Sequence, residues 1–80
     1  MKLRVLSRND VEALLDFDAL LEALAAGFAA LSDGRVVAPD RIEMAAPEAG
    51  HLLVKPSWAP DEAMTVKLVS TFHGNPRLGL

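Results

Sequence analysis

The chain has 80 residues, no cysteine and a formal charge of -3. This length allows one small domain, and the lack of cysteine excludes disulfides and thiolate metal sites. The acidic balance argues against nucleic-acid binding, which needs a basic face, and no apolar run approaches the roughly 20 residues of a membrane span. The start of the chain does not resemble a signal peptide, so we expect a cytoplasmic protein. A hydrophobic fraction of 51% is high for so short a chain and predicts apolar surface that meets further protein.

The N-terminal half is expected to contain a short strand over residues 2–6 and two helices. Ser7 suits the N-cap of a brief first helix, and Asp10, three residues later, suits the exposed amides of its first turn. Asp16 suits the N-cap of a longer second helix, and Gly34 supplies a left-handed residue at which that helix ends. The apolar residues of the second helix recur at helical spacing and are Phe17, Leu20, Leu21, Leu24, Phe28 and Leu31.

The second half is expected to form three strands. Extended segments are predicted over residues 41–44, 51–55 and 64–72, where apolar and polar residues alternate or β-branched residues are frequent. Turns are predicted over residues 47–50 and 58–62, where proline and glycine or acidic residues cluster. The sequence therefore predicts an α+β chain: a strand, two helices and a three-stranded, mainly antiparallel meander. No internal repeat or interdomain linker divides residues 1–80.

Lys67 is the first candidate site residue because it lies at the centre of the last predicted strand. Thr65, Val69 and Thr71 share its face of the sheet, so two hydroxyls flank the ammonium group. Such a face suits a small anionic ligand, since burial of an ammonium is costly unless an anion meets it. The alternative is a lysine that faces solvent on a half-exposed sheet, and the periodicity alone favours that alternative.

Arg41 and Asn75 are the other candidates. Arg41 opens the first strand of the meander, from which its guanidinium can reach across the sheet and bind a carboxylate through two parallel hydrogen bonds. Its alternative is a surface ion pair with Asp40 or Glu43. Asn75 precedes a proline and is most simply a turn residue, and a ligand-contacting amide in a site loop is the alternative.

No metal site or nucleotide site is expected in the chain. His51 and His73 are not at metal-ligand spacing, and no third ligand is evident. The sequence has no Gly-x-Gly-x-x-Gly motif, no Walker loop and no Gly-x-Ser-x-Gly elbow. We therefore assign no catalytic residue within these 80 residues.

Several short motifs follow one another in a specific order. They are Leu6–Val11, Phe28–Gly34, Ala38–Arg41, Leu52–Pro56, Val66–Val69 and Gly74–Leu80. Each motif is weak alone, but their order and spacing over essentially the whole chain are specific. In this arrangement the chain resembles the N-terminal part of the ornithine cyclodeaminase and mu-crystallin family.

The resemblance implies that residues 1–80 are part of a substrate-binding and dimerisation domain, without the Rossmann domain that completes such proteins. It implies a homodimer that acts on a small amino or imino acid with NAD or NADP, as ornithine cyclodeaminases, alanine dehydrogenases and cyclic-imine reductases do. Arg41 and Lys67 match the residues that hold the substrate carboxylate. The cofactor site and the catalytic aspartate would lie beyond Leu80, so the chain by itself is expected to be inactive.

Two positions depart from the family pattern. Lys55 stands before Pro56, where the family usually has an apolar residue, often methionine. Leu53 stands where the ornithine-specific enzymes have an acidic residue, which argues for other amino or imino acids as substrates. A different class of function also remains open: a free-standing α/β module that dimerises or binds a carboxylate and performs no catalysis.

Overall fold

The computed structural model describes all 80 residues and contains two helices followed by a three-stranded sheet. The elements are α1 (Arg8–Leu14), α2 (Phe17–Ser32), β1 (Ile42–Ala46), β2 (Gly50–Ala59), β3 (Ala63–Phe72) and a 3-10 helix (Asn75–Leu78). The sheet order is β1-β2-β3, and both pairings are antiparallel. The predicted α+β arrangement of two helices and an antiparallel meander is confirmed.

Both helices begin after the N-cap residues that the sequence predicted, and α2 ends just before the predicted Gly34. The Ser7 hydroxyl accepts a hydrogen bond from the Asp10 N–H at 3.1 Å, and the Asp10 carboxylate accepts one from the Ser7 N–H at 2.8 Å. This reciprocal pair satisfies two amides that the first turn leaves free. The Asp16 carboxylate accepts from the Asp18 N–H at 3.1 Å at the start of α2. Gly34 has a φ of 75° just after the end of α2, a backbone conformation that glycine adopts without steric penalty.

The strand predicted for residues 2–6 does not form. Residues 1–7 have no regular secondary structure, and they pair with neither edge of the sheet. The alternation of polar and apolar residues there suits a strand, but a strand also needs a neighbour for its backbone hydrogen bonds. Residues 2–6 make no such pairing with either edge strand, β1 or β3.

The two hairpins are built alike. The β1–β2 turn and the β2–β3 turn each place a proline first, Pro47 and Pro60, and an acidic residue second, Glu48 and Asp61. Both acidic residues have positive φ, 62° at Glu48 and 63° at Asp61. The second turn is centred on Asp61 because Ala59 pairs with Ala63. Strand β2 therefore runs four residues beyond the segment 51–55 predicted from the sequence.

Pro56 lies inside the central strand, an unusual place for a residue that has no N–H to donate. The Trp58 N–H donates to the Val37 carbonyl at 2.8 Å, and alternate residues of a strand direct their backbone groups to the same neighbour. The nitrogen of Pro56 therefore faces the β1 side. Val37 pairs with Trp58, and the first pair of β1 is Ile42 with Val54. Between these two pairs, the segment before β1 has one residue more than β2. Residues 38–41 consequently lie outside the regular ladder of β1 and β2, which starts at Ile42.

The chain has almost no buried core. Gly50 is the one buried residue, and no hydrophobic side chain is buried. The accessible surface is 7435 Å², whereas a compact protein of this mass exposes about 4,700 Å². The radius of gyration is 16.1 Å, against about 12 Å for a compact domain of this length. The extensive contacts between elements are all between neighbouring strands, and the large apolar side chains of the helices and the sheet are mostly exposed.

Candidate anion-binding site

The register divides the sheet into an apolar face and a polar face, because successive residues of a strand point to opposite sides. The apolar face carries Ile42, Met44, Leu52, Val54, Met64, Val66, Leu68 and Phe72. Most of these side chains are exposed in the chain. The polar face carries the odd-numbered residues, among them Lys67. The candidate site residue Lys67 therefore lies on the face opposite the apolar one.

Three cations lie in one row across the polar face. Lys55 on β2 is directly opposite Lys67 on β3, so both side chains project from the same side of the sheet. Arg41 immediately precedes β1, in the irregular segment 38–41, and its neighbour Ile42 pairs with Val54, the residue before Lys55. Arg41 and Lys55 also line one open pocket of about 440 Å³, together with Ala38, Pro39 and Asp40. The row is therefore Arg41, Lys55 and Lys67, with Lys55 in the middle.

The spacing of the row matters for what it can bind. Neighbouring strands lie about 4.8 Å apart, so β1, which Arg41 precedes, and β3, which carries Lys67, are about 10 Å apart. Arginine and lysine side chains are long enough to approach one another across that gap. An anion that contacts both Arg41 and Lys67 must therefore lie above Lys55.

None of the three cations has a carboxylate partner within the chain. No carboxylate oxygen lies within 4.0 Å of Arg41, Lys55 or Lys67. Glu43, the ion-pair alternative for Arg41, pairs instead with His51, whose Nδ1 lies 3.0 Å from Glu43 Oε1. Three cationic residues without an ion-pair partner therefore lie near one another, and such a cluster attracts anions.

The rows on either side of the cations differ in polarity. On the side toward the β2–β3 turn, Ser57 is directly opposite Thr65, so two hydroxyls border the row. On the other side, Leu53 is opposite Val69, and both are half-buried. The arrangement can hold an anion and orient it between a hydroxyl border and an apolar border.

Asn75 lies away from the row. It begins the 3-10 helix that follows β3, and the last residue of β3, Phe72, is five residues from Lys67. Five residues of extended strand span about 17 Å. The backbone carbonyl of Asn75 accepts a hydrogen bond from the Leu80 N–H at 3.0 Å. The structure thus places Asn75 just beyond the C-terminal end of β3, whereas the β2–β3 hairpin turn lies at the N-terminal end of that strand.

The residues of this chain do not fit a dinucleotide. Such cofactors bind where a parallel strand leads through a glycine-rich turn into a helix N-terminus. The sheet here is wholly antiparallel, and the Asp16 carboxylate occupies the N-terminus of α2. No group of three His, Asp or Glu side chains is arranged to hold a metal. No helix has the length and apolar character needed to cross a membrane.

Sequence reasoning missed the role of Lys55 as a neighbour of Lys67. The turn predicted over residues 58–62 is centred on Pro60, and that centre pairs Lys55 with Thr65. The observed turn is centred on Asp61 and shifts the pairing to Lys67. The Pro60–Asp61 dipeptide, with proline at the second position of a turn, is the signal that could have fixed this register.

Comparisons with known proteins show the family of the chain. The model of the ornithine cyclodeaminase/mu-crystallin family matches residues 1–80, and the chain belongs to that family. A curated relative, the Delta(1)-pyrroline-2-carboxylate reductase 1 of Burkholderia multivorans, is 40% identical over 76 residues. The match covers 95% of this chain and 24% of the relative, so the chain spans about a quarter of that relative's length. No solved structure matches the chain.

Proposed function

We propose that these residues are the carboxylate-binding part of an NAD(P)-dependent enzyme that acts on an amino or imino acid. Arg41 and Lys67 hold the substrate carboxylate, the guanidinium through two hydrogen bonds and the ammonium as a point charge. The supporting observation is the row of cations that no carboxylate of the chain neutralises. The two residues that the family resemblance matched both belong to that row.

Arg41 and Lys67 together form a carboxylate clamp, and the function of this clamp is to position the substrate. A carboxylate fixed at two points leaves the adjacent carbon, which bears the nitrogen, with little freedom to rotate. Holding that carbon in a reactive orientation is worth several kcal/mol of barrier, on the order of the gains measured for well-oriented intramolecular reactions. The residues of this chain therefore bind and orient the substrate, and other polypeptide supplies the reacting groups.

The complete protein, in this proposal, holds NAD or NADP with residues other than these and forms a homodimer. The exposed apolar face of the sheet and the exposed stripe of α2 supply surface for such association, since soluble monomers rarely expose large apolar patches. Leu53, where ornithine-specific enzymes have an acid, argues against ornithine. The relative's name points to a cyclic imino acid such as pyrroline-2-carboxylate as a model substrate.

The test is calorimetric titration of the natural full-length protein with L-proline. Arg41→Met and Lys67→Met should each weaken binding by tenfold or more, because about 1.4 kcal/mol is lost with each charged hydrogen-bond donor. Arg35→Met is the matched control, since Arg35 is exposed and pairs with Asp33 at 3.0 Å. Binding that is as tight in Arg41→Met and Lys67→Met as in the control would refute the clamp.

A further inference from the structure

We infer that Lys55 is a third anion-binding residue of this site, and that the site prefers an amino or imino acid with a second negatively charged group. The inference rests on the proposed function, because it concerns the same clamp. It goes beyond the clamp by naming a residue that the family pattern does not include and a class of substrate that a single carboxylate does not represent.

Position is the first argument. Lys55 is directly opposite Lys67 and on the same face, and on its other side it lines one open pocket with Arg41. A ligand that reaches both outer cations passes above the middle strand and therefore above Lys55. An apolar side chain at this position would leave the ligand's underside without a charge, whereas an ammonium there contacts it.

Charge is the second argument. Like charges directly opposite one another on neighbouring strands destabilise a sheet, and this row places three cations side by side. One carboxylate neutralises only one of them. Asp40 lines the pocket beside Arg41 and Lys55, but it lies more than 4.0 Å from the charged atoms of both. A ligand with two negative groups leaves much less uncompensated charge than a ligand with one.

The borders of the row indicate where the second group lies. Ser57 and Thr65 offer hydroxyl donors next to Lys55 and Lys67, and hydroxyls bind an anion well. Leu53 and Val69, on the opposite border, offer none. The second negative group therefore lies on the hydroxyl side, and the apolar part of the ligand lies toward Leu53.

The experiment compares L-glutamate with L-glutamine, which have nearly the same size and shape but differ by one negative charge. Both are titrated calorimetrically into the natural full-length protein and into Lys55→Met, Lys55→Arg and Lys2→Met variants. The wild type should bind glutamate about tenfold more tightly than glutamine, as one additional charge-assisted contact provides. Lys55→Met should remove most of that preference, and Lys55→Arg should retain it. Lys2→Met changes the net charge equally but lies outside the sheet, so the preference should persist.

The outcomes separate this inference from the proposed function. Equal affinity for glutamate and glutamine in the wild type, or a preference that survives Lys55→Met, overturns the role of Lys55. In that case loss of L-proline binding in Arg41→Met and Lys67→Met would still support the clamp. If glutamate and glutamine both fail to bind, the dianion preference is also refuted. Thermal unfolding of each variant distinguishes lost binding from lost folding, and Lys55→Met should unfold at the same or a higher temperature.

Discussion

Lys55 and Lys67 occupy directly opposite positions on β2 and β3 and project from the same face of the sheet. No carboxylate of the chain pairs with either lysine. Sheets usually place opposite charges, aromatic pairs or β-branched pairs at such positions, because two like charges there repel. A pairing that opposes stability in the free protein is understandable where a ligand provides the missing negative charge.

The repulsion between Lys55 and Lys67 should be measurable in the ligand-free protein. Lys55→Met alone should raise the free energy of unfolding by about 0.2–1 kcal/mol, as removal of a like-charge pair does. A double-mutant cycle with Lys67→Met should return an unfavourable coupling energy that shrinks as salt is added, since exposed charges are screened. Denaturant unfolding at low and high ionic strength makes the measurement. A favourable coupling, or one that salt leaves unchanged, would contradict the assigned register.

Glycine at the positive-φ positions of the hairpin turns should stabilise the protein. Glu48 and Asp61 have φ of 62° and 63°, a conformation that costs an L-residue about 1 kcal/mol more than it costs glycine. Glycine also gains freedom in the unfolded chain, which offsets part of the benefit. Glu48→Gly should therefore change the unfolding free energy by between zero and about 1 kcal/mol in the stabilising direction.

The neighbouring residue provides the control for this turn. Ala49 lacks a positive φ, so Ala49→Gly should only destabilise, by about 0.5–1 kcal/mol. Chemical denaturation of the natural full-length protein compares the two variants. If Glu48→Gly destabilises as much as Ala49→Gly does, residue 48 does not adopt the left-handed conformation.

Gly50 should not tolerate a side chain. A Cβ at this position would collide with the Thr71 carbonyl oxygen and would lie 2.9 Å from the Phe72 Cα, and both belong to backbone that cannot rotate away. Gly50→Ala should destabilise the protein by about 2 kcal/mol or more, in the range of overpacked cores. Gly74→Ala is the control, because a Cβ there meets nothing within 4 Å. Similar unfolding midpoints for the two variants would show that β2 and β3 do not approach closely at Gly50.

The 80-residue chain alone should lack a cooperative unfolding transition. It buries no hydrophobic side chain, and burial of apolar surface is the main favourable term in folding. We expect a broad thermal change in circular dichroism, binding of a hydrophobic dye, and no dinucleotide-dependent oxidation of amino acids. A sharp melting transition from a monodisperse dimer would instead favour a free-standing dimerisation or binding module.

The capping box of α1 should respond to acid. The hydrogen bond from the Ser7 backbone N–H, and secondly one with the Ser7 side chain, lower the pKa of Asp10 below its ordinary value of 3.8. Because the folded pKa is the lower one, Asp10 favours the helix above the ordinary value, and this contribution is lost as the pH falls through the folded pKa. Carboxyl NMR titration should report a lowered pKa in the wild type and a higher one in Ser7→Ala. A wild-type pKa at or above 3.8 would rule out the box, because the Ser7 backbone N–H, the main cause of the lowering, is present in both proteins.

The helices were predictable from sequence because their boundaries are set locally. Ser7, Asp10, Asp16 and Gly34 each satisfy or shape the backbone within a few residues, so neighbouring residue types suffice to locate them. The strand over residues 2–6 failed for the opposite reason. Its alternation is a local pattern, but strand formation depends on a partner elsewhere in the chain.

The candidate site was only partly predictable. Lys67 and Arg41 stood out because a charge in an apolar strand and a charge at a strand start are visible in the sequence. Lys55 became part of the same row only when the turn centre moved from Pro60 to Asp61, since a shift of one residue in the centre moves the cross-strand partner by two. Pairing across strands is a long-range property that residue patterns along one strand do not contain.

The most direct measurement is a crystal structure of the natural full-length protein with a bound amino- or imino-acid carboxylate. The account predicts that the carboxylate oxygens lie about 2.7–3.2 Å from the guanidinium nitrogens of Arg41 and from Nζ of Lys67. Lys55 should lie beneath the same ligand. A carboxylate held by other residues, with this row of cations facing solvent, would contradict the account.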